Sequence, residues 1–275
     1  MDADALFDEA EAALRAGRVA EARDLFGRAG EAGRHDAAVI HCNLTASGGD
    51  WGEGLRLLAG LARTDPRCRR QVELIRAMDL SATLVGEVVS EAPHLTLFRG
   101  LFSAEQCAYL AAAAAPMLAP SVVVDPATGA QRADPVRVCD SAGFTLPLEN
   151  PAVHALNQRI AAASGTGWAQ GEPLQVLRYR PGGEYKPHFD AIPGFANQRT
   201  LTMIVWLNEG YEGGETMFMK TGAKLKGRTG DALLFRNALP DGSRDPDAAH
   251  AGLPVTSGEK LIASRWIRAR PFELA

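Results

Sequence analysis

From residue 172 onward the chain is a succession of short apolar runs: EPLQVLRYR, EYKPHFD, TLTMIVWLN, GETMFMK, DALLFRN and KLIASRWIRA. Gly, Pro and Asn cut them apart. Runs of this length, rich in branched and aromatic residues and bounded by turn formers, read as strands. Strands at this spacing fold into a sandwich or barrel. One more strand, HLTLF (94–98), precedes them, as do two helices. FSAEQCAYLAAAAA (102–115) opens with Ser103 as its N-cap, and NPAVHALNQRIAAASG (150–165) is amphipathic. These helices are expected to pack outside the barrel.

The first 80 residues have another character. They are rich in Ala, Leu, Arg and Glu, and Pro66 is their only proline. AGRVAEARDLF (16–26) lines up with GGDWGEGLRLL (48–58), and a final helix lies near 66–78. A period in the low thirties, built of helix–turn–helix units, marks a solenoid of the tetratricopeptide kind. A simple helical bundle is the alternative. The expected fold is therefore α+β, with a helical repeat module over 1–80 and a barrel domain over 81–275.

The composition narrows the partners. A net charge of −4 gives no general affinity for nucleic acid or anionic membrane. No apolar run reaches the roughly 20 residues of a membrane span. The start, MDADALFDEAEAALRAG, is acidic and does not resemble a signal peptide. Cys42, Cys68, Cys107 and Cys139 are scattered, which suits reduced thiols and a cytoplasmic location.

The chemistry concentrates in three places. In EYKPHFDAIPG, His188 and Asp190 are one residue apart, and on a strand they share a face. They can be two metal ligands or a plain hydrogen-bonded pair. His250 follows in DAAHAGLPV. Two imidazoles and a carboxylate, with other positions open, form the arrangement of non-haem Fe(II) oxygenases. Lys260 begins KLIASRWIRA and shares a face with Ile262, Ser264 and Trp266. A lysine turned into a barrel needs an anion, which a dicarboxylate would supply. At a strand start it can equally be a surface residue.

The ordered set LQVLRYRPGGEYKPHFD, GGETMF, GDALLFRN and DPDAAHAGLPVTSGEKLIASRWIR resembles the prolyl 4-hydroxylase family of Fe(II)/2-oxoglutarate dioxygenases. The resemblance runs from about 94 to 272. It implies a double-stranded β-helix, a jelly-roll barrel with flanking helices. It implies Fe(II), 2-oxoglutarate and O2 as cofactor and cosubstrates, with ascorbate as an accessory reductant. Carried over by position, His188, Asp190 and His250 match the iron ligands. Lys260 matches the partner of the far carboxylate of 2-oxoglutarate, and Tyr179 and Thr216 match its hydroxyl partners. Tyr185, Arg199 and Trp266 match positions lining the substrate groove.

The implied reaction couples C–H hydroxylation of a peptidyl or protein residue, prolyl by preference, to conversion of 2-oxoglutarate into succinate. Two departures lie on the substrate side: Arg268 stands where some members carry His, and the loop AIPGFANQR lacks the acidic cluster many members have. Three alternatives remain at this point. They are a dioxygenase acting on a small molecule, a helical-repeat scaffold carrying an inert barrel, and a metal hydrolase on a related barrel. The loops 122–138 and 191–199 are candidate lids, and the helical module, with eleven Arg and no Lys, is a candidate surface for a protein partner.

Overall fold

The computed structural model describes residues 2–82, 84–124, 131–133 and 135–272. The chain forms two compact units. The first holds the residues up to Ala82 together with Phe144–Gln158. The second holds the residues from there to Gly143 together with Arg159–Phe272.

The first unit begins with five helices: α1 (Ala3–Arg15), α2 (Val19–Glu31), α3 (His35–Ser47), α4 (Trp51–Leu61) and α5 (Pro66–Arg76). The repeat seen in the sequence is a repeat of helix endings. Gly17, Gly33 and Gly49 recur at a fixed spacing with φ of 74°, 102° and 101°. After each, a backbone N–H reaches back to close the helix: Arg18 to Ala13, Arg34 to Ala29 and Asp50 to Thr45. This left-handed cap satisfies the last carbonyls and turns the chain. The apolar faces of α1, α2 and α3 bury Leu6, Phe26 and Leu44 in one core. Leu146 packs against the same core, and Asn43 donates to the Pro147 carbonyl at 2.9 Å.

The second unit opens with β1 (Glu87–Glu91) and β2 (His94–Phe98), then α6 (Ala104–Ala114). Ser103 caps α6 as the sequence indicates, and Gln106 completes a capping box. Short strands follow: β3 (Ala119–Pro120), β4 (Val122–Val124), β5 (Gln131–Ala133), β6 (Arg137–Val138) and β7 (Asp140–Gly143). Part of the candidate lid over 122–138, namely 125–130 and 134, lies outside the described residues. Helix α7 (Pro151–Ser164) leads to β8 (Gln175–Tyr179), β9 (Glu184–His188) and β10 (Arg199–Trp206). The remaining strands are β11 (Glu212–Gly213), β12 (Thr216–Phe218), β13 (Lys224–Leu225), β14 (Ala232–Arg236), β15 (His250–Gly252), β16 (Val255–Ser257) and β17 (Lys260–Arg268).

Two antiparallel sheets carry the unit. The larger runs β1-β2-β14-β10-β17-β8-β7-β3 and the smaller β13-β12-β15-β9-β6. Their inner faces meet in one core of Leu95, Leu177, Ile204, Trp206, Phe218 and Phe235, among others. That is the sandwich expected from the strand spacing and the jelly roll that the family resemblance implies. Burial of large apolar side chains such as Trp206 and Phe235, each 0% exposed, is its main stabilisation. The two sheets also bring the conspicuous polar residues of the sequence to the same interior.

Candidate active site

The central pair of the smaller sheet sets the site. Strand β15 runs antiparallel to β9, with His250 directly opposite His188 and Gly252 opposite Tyr185. The strand ends at His188, so Asp190 is not on it: the carboxylate arrives by way of the bend that follows. One ligand atom from each of His188, Asp190 and His250 lies within 4.8 Å of the others. His188 Nε2 is 3.5 Å from Asp190 Oδ1, and His250 Nε2 is 3.7 Å from Asp190 Oδ2.

Both imidazoles are oriented from behind. His188 Nδ1 is 2.8 Å from the Lys186 carbonyl and His250 Nδ1 is 3.0 Å from the Ala248 carbonyl. A carbonyl only accepts, so each Nδ1 carries the proton and each Nε2 presents a lone pair inward. His188 Nε2 is buried with no hydrogen-bond partner among the described residues. The ring of His188 stacks on Tyr185, with centroids 3.5 Å apart and planes 14° from parallel. Phe235 packs edge-on against His250 at 4.7 Å.

Burial alone would raise the Asp190 carboxyl. The His250 and His188 imidazoles and the hydrogen bond from Thr202 outweigh it and hold the group below the usual carboxylate range. Burial lowers the His250 imidazole, against the pull of Asp190. A neutral imidazole and an ionised carboxylate are the forms a metal requires. Two nitrogens and one oxygen gathered on one cavity fit Fe(II) and leave other positions open.

Lys260 stands on another wall. It begins β17, faces Tyr179 of β8 in register, and is 2% exposed. Its ammonium donates to the Gly214 carbonyl at 2.6 Å and sits 5.1 Å from the centre of the Tyr179 ring. Burial pushes the Lys260 ammonium down to about 8, against the Glu215 carboxylate. Thr216, 3% exposed, is paired across β12 and β15 with Gly252. Lys260 and Thr216 thus offer a cation and a hydroxyl to the same cavity that receives the three candidate metal ligands.

Of the nine residues singled out in the sequence, all but Arg199 line this cavity. Arg199 stands behind its rim. Its guanidinium lies 3.7 Å over the Trp266 ring and pairs with Glu172 through contacts of 2.6 and 2.8 Å. Arg268 also reaches Glu172, at 2.6 Å. Sequence reasoning did not find Thr202, Asn237 or Glu172. All three are buried polar residues, and only the alternation in TLTMIVW could have marked Thr202 as inward-facing.

Residues 174–268 match the family model described as the 2OG-Fe(II) oxygenase superfamily. The chain is 35% identical over 249 residues to Prolyl 4-hydroxylase 1 of Arabidopsis thaliana, covering 80% of this chain and 86% of that one. It is 32% identical over 212 residues to Probable prolyl 4-hydroxylase 3 of the same plant, covering 68% and 74%. Among solved structures it is similar to the 2-oxoglutarate complex of a viral collagen prolyl hydroxylase from Paramecium Bursaria Chlorella virus-1. There the TM-score is 0.53 at 29% identity, covering 66% of this chain and 99% of the viral one.

Proposed function

The chain belongs to the prolyl 4-hydroxylase family of Fe(II)- and 2-oxoglutarate-dependent oxygenases, and from that premise we propose that it hydroxylates a prolyl residue in a peptide or protein. In this reading His188, Asp190 and His250 hold the iron. Lys260 pairs with the far carboxylate of 2-oxoglutarate, and Thr216 and Tyr179 donate hydroxyls to it. Tyr185, Arg199 and Trp266 shape the approach of the substrate. The observation that carries the reading is the convergence of two inward Nε2 lone pairs, one ionised carboxylate and one enclosed ammonium on a single cavity.

With iron, 2-oxoglutarate and dioxygen bound, one oxygen atom goes to a substrate C–H bond and the other to the succinate formed with carbon dioxide. The residues of the chain position and exclude. The Lys186 and Ala248 carbonyls fix the imidazole tautomers. Phe218 and Phe235 wall His250 from water. Tyr185 covers one face of the His188 ring. Trp266, braced by Arg199, forms a flat apolar surface at the rim.

The same reading places the enzyme in the cytoplasm, with ascorbate as the reductant that keeps iron ferrous, and assigns the helical unit to docking a protein partner. The four unpaired cysteines support the location, and three of them are buried. Among the described residues no helix is long and apolar enough to cross a membrane. The test is succinate formation from 2-oxoglutarate with Fe(II) and ascorbate. A comparison of proteins from cells with and without the enzyme accompanies it, searching for prolyl residues heavier by one oxygen atom. Succinate formation without any such prolyl product would reject the prolyl assignment. No succinate at all would reject the oxygenase reading.

A further inference from the structure

Two buried polar side chains stand behind Asp190, one hydrogen-bonded to the other. Thr202 on β10 and Asn237, just beyond β14, are each 1% exposed. Thr202 Oγ1 lies 2.6 Å from Asp190 Oδ2, and Asn237 Nδ2 lies 2.7 Å from the same Oγ1. The order of donation is fixed. The amide nitrogen only donates, so the hydroxyl accepts from Asn237 and gives its own proton to the carboxylate. Asn237 is itself clamped through the main chain: its N–H donates to the Thr200 carbonyl at 2.8 Å, and its carbonyl accepts from Asp245 at 2.9 Å. Asn237 Oδ1 is buried with no partner among the described residues. An unsatisfied buried acceptor is costly, so a gain elsewhere is expected to offset it.

The gain is at Asp190. This residue has left the strand, so the ladder that places His188 does not orient it. Its carboxylate has two oxygens and can bind a metal through one or through both. Binding through both would occupy a position that the cosubstrate or dioxygen needs. Thr202 holds Oδ2, which also lies 3.7 Å from His250 Nε2, while Oδ1 faces His188 Nε2 at 3.5 Å and has no such hydroxyl donor among the described residues. We propose that Thr202, oriented by Asn237, is a positioning residue that restricts Asp190 to one metal-binding oxygen and so keeps a coordination position free for 2-oxoglutarate. The proposal rests on Asp190 being a ligand.

The test compares full-length chains loaded anaerobically with Fe(II), measuring metal stoichiometry, 2-oxoglutarate affinity and the visible absorbance of the Fe(II)–2-oxoglutarate chelate. Thr202→Val keeps the shape and removes the hydroxyl. It should still bind one iron, bind 2-oxoglutarate about tenfold more weakly and show an altered chelate absorbance, the size expected for a lost hydrogen bond to a ligand. Thr202→Ser keeps the hydroxyl and should match the wild type in all three. Asn237→Leu should shift affinity and absorbance in the same direction as Thr202→Val, and it carries the comparison if the valine variant does not fold. Wild-type affinity and absorbance in Thr202→Val, or in Asn237→Leu in that case, overturns the proposal. So does a serine variant as impaired as the valine one, which would indicate packing alone. Asp190→Ala separates the two levels. If it still binds one iron, the ligand assignment fails and this proposal with it. If it loses iron while Thr202→Val behaves as wild type, only this proposal fails.

Discussion

An ammonium enclosed as fully as that of Lys260 is a poor choice for stability, which makes its pairing informative. Burial disfavours the charged form and pushes it down to about 8 from 10.5. Between those two values the unfolded chain holds more protons than the folded one, so stability rises with pH across that interval. Below about 8 the buried charge costs stability. Lys260→Met should therefore raise the melting temperature of the metal-free protein at pH 7, while losing 2-oxoglutarate binding. In the wild type, if Lys260 pairs with the far carboxylate, 2-oxoglutarate affinity should fall as pH rises through about 8, because the free protein then gives up that charge. A flat affinity from pH 7 to 9.5, by titration at fixed ionic strength, would remove the charge pairing. Lys260→Ala should raise the apparent KM for 2-oxoglutarate by the equivalent of about 2–5 kcal/mol, and Lys260→Arg should not restore it, since a planar fork does not fit a point-charge site. At the metal, Asp190→Ala, His188→Ala or His250→Ala should each abolish succinate formation with the fold retained by circular dichroism. Near-normal turnover in any one removes that residue from the site.

The elements explain which parts of this site could be read in advance. That His188, Asp190, His250 and Lys260 would meet at one cavity was legible through the family resemblance, which rests on their order and spacing along the chain. A sandwich or barrel was legible because strand-length runs recur between turn residues, and the jelly roll followed from the family resemblance. Thr202 and Asn237 were not, because their meeting depends on the register of β10 against β14, where Leu201 pairs with Arg236. No local sequence encodes that pairing. The shared-face argument for His188 and Asp190 reached the right neighbours by a different path, since a bend and not a strand delivers Asp190. The turn between β11 and β12 is a similar case. Gly214 has φ of +68°, and a Cβ there would lie 3.0 Å from Val255 Cγ2 and 3.1 Å from Lys260 Cδ. Gly222 has nearly the same backbone, φ +70°, with open space around it. Alanine at either position should cost about 1–2 kcal/mol through the left-handed backbone. Only Gly214→Ala should also raise the KM for 2-oxoglutarate, by moving the Lys260 stem. Equal KM values in the two variants, beside equal losses in Tm, would show that the turn does not position the lysine.

At the scale of the whole molecule the open question is what the helical unit does. Among its described residues none lines the cavity that gathers His188, Asp190, His250 and Lys260. Stacked helical hairpins present an extended surface, and such surfaces bind peptides and proteins. Removing residues 1–80 is a poor test. Phe144–Gln158 belongs to the same compact unit, with Leu146 packed on the α1–α3 core and Trp51 5.5 Å from the His154 ring. A chain cut at Ser81 would uncover these apolar contacts and confound docking with misfolding. Charge reversal on the intact surface avoids this. Arg69 and Arg70 on α5 are exposed, and their contacts include the Ala62 and Arg63 carbonyls at 3.3 and 3.5 Å and Glu73 at 3.7 Å. Exposed pairs of that kind contribute little to stability, so Arg69→Glu with Arg70→Glu should leave the fold and its Tm nearly unchanged. If an acidic partner docks there, the double variant should retain substrate-independent 2-oxoglutarate turnover and hydroxylation of a short prolyl peptide. It should lose most hydroxylation of the full-length target, and the loss should shrink as salt is raised and weakens the wild-type contact. The reason is local concentration: a tethered target presents its prolyl segment repeatedly to one cavity, whereas a free peptide gains nothing from the tether. Equal hydroxylation of the full-length target by variant and wild type at low salt would show that this basic face does not recruit it.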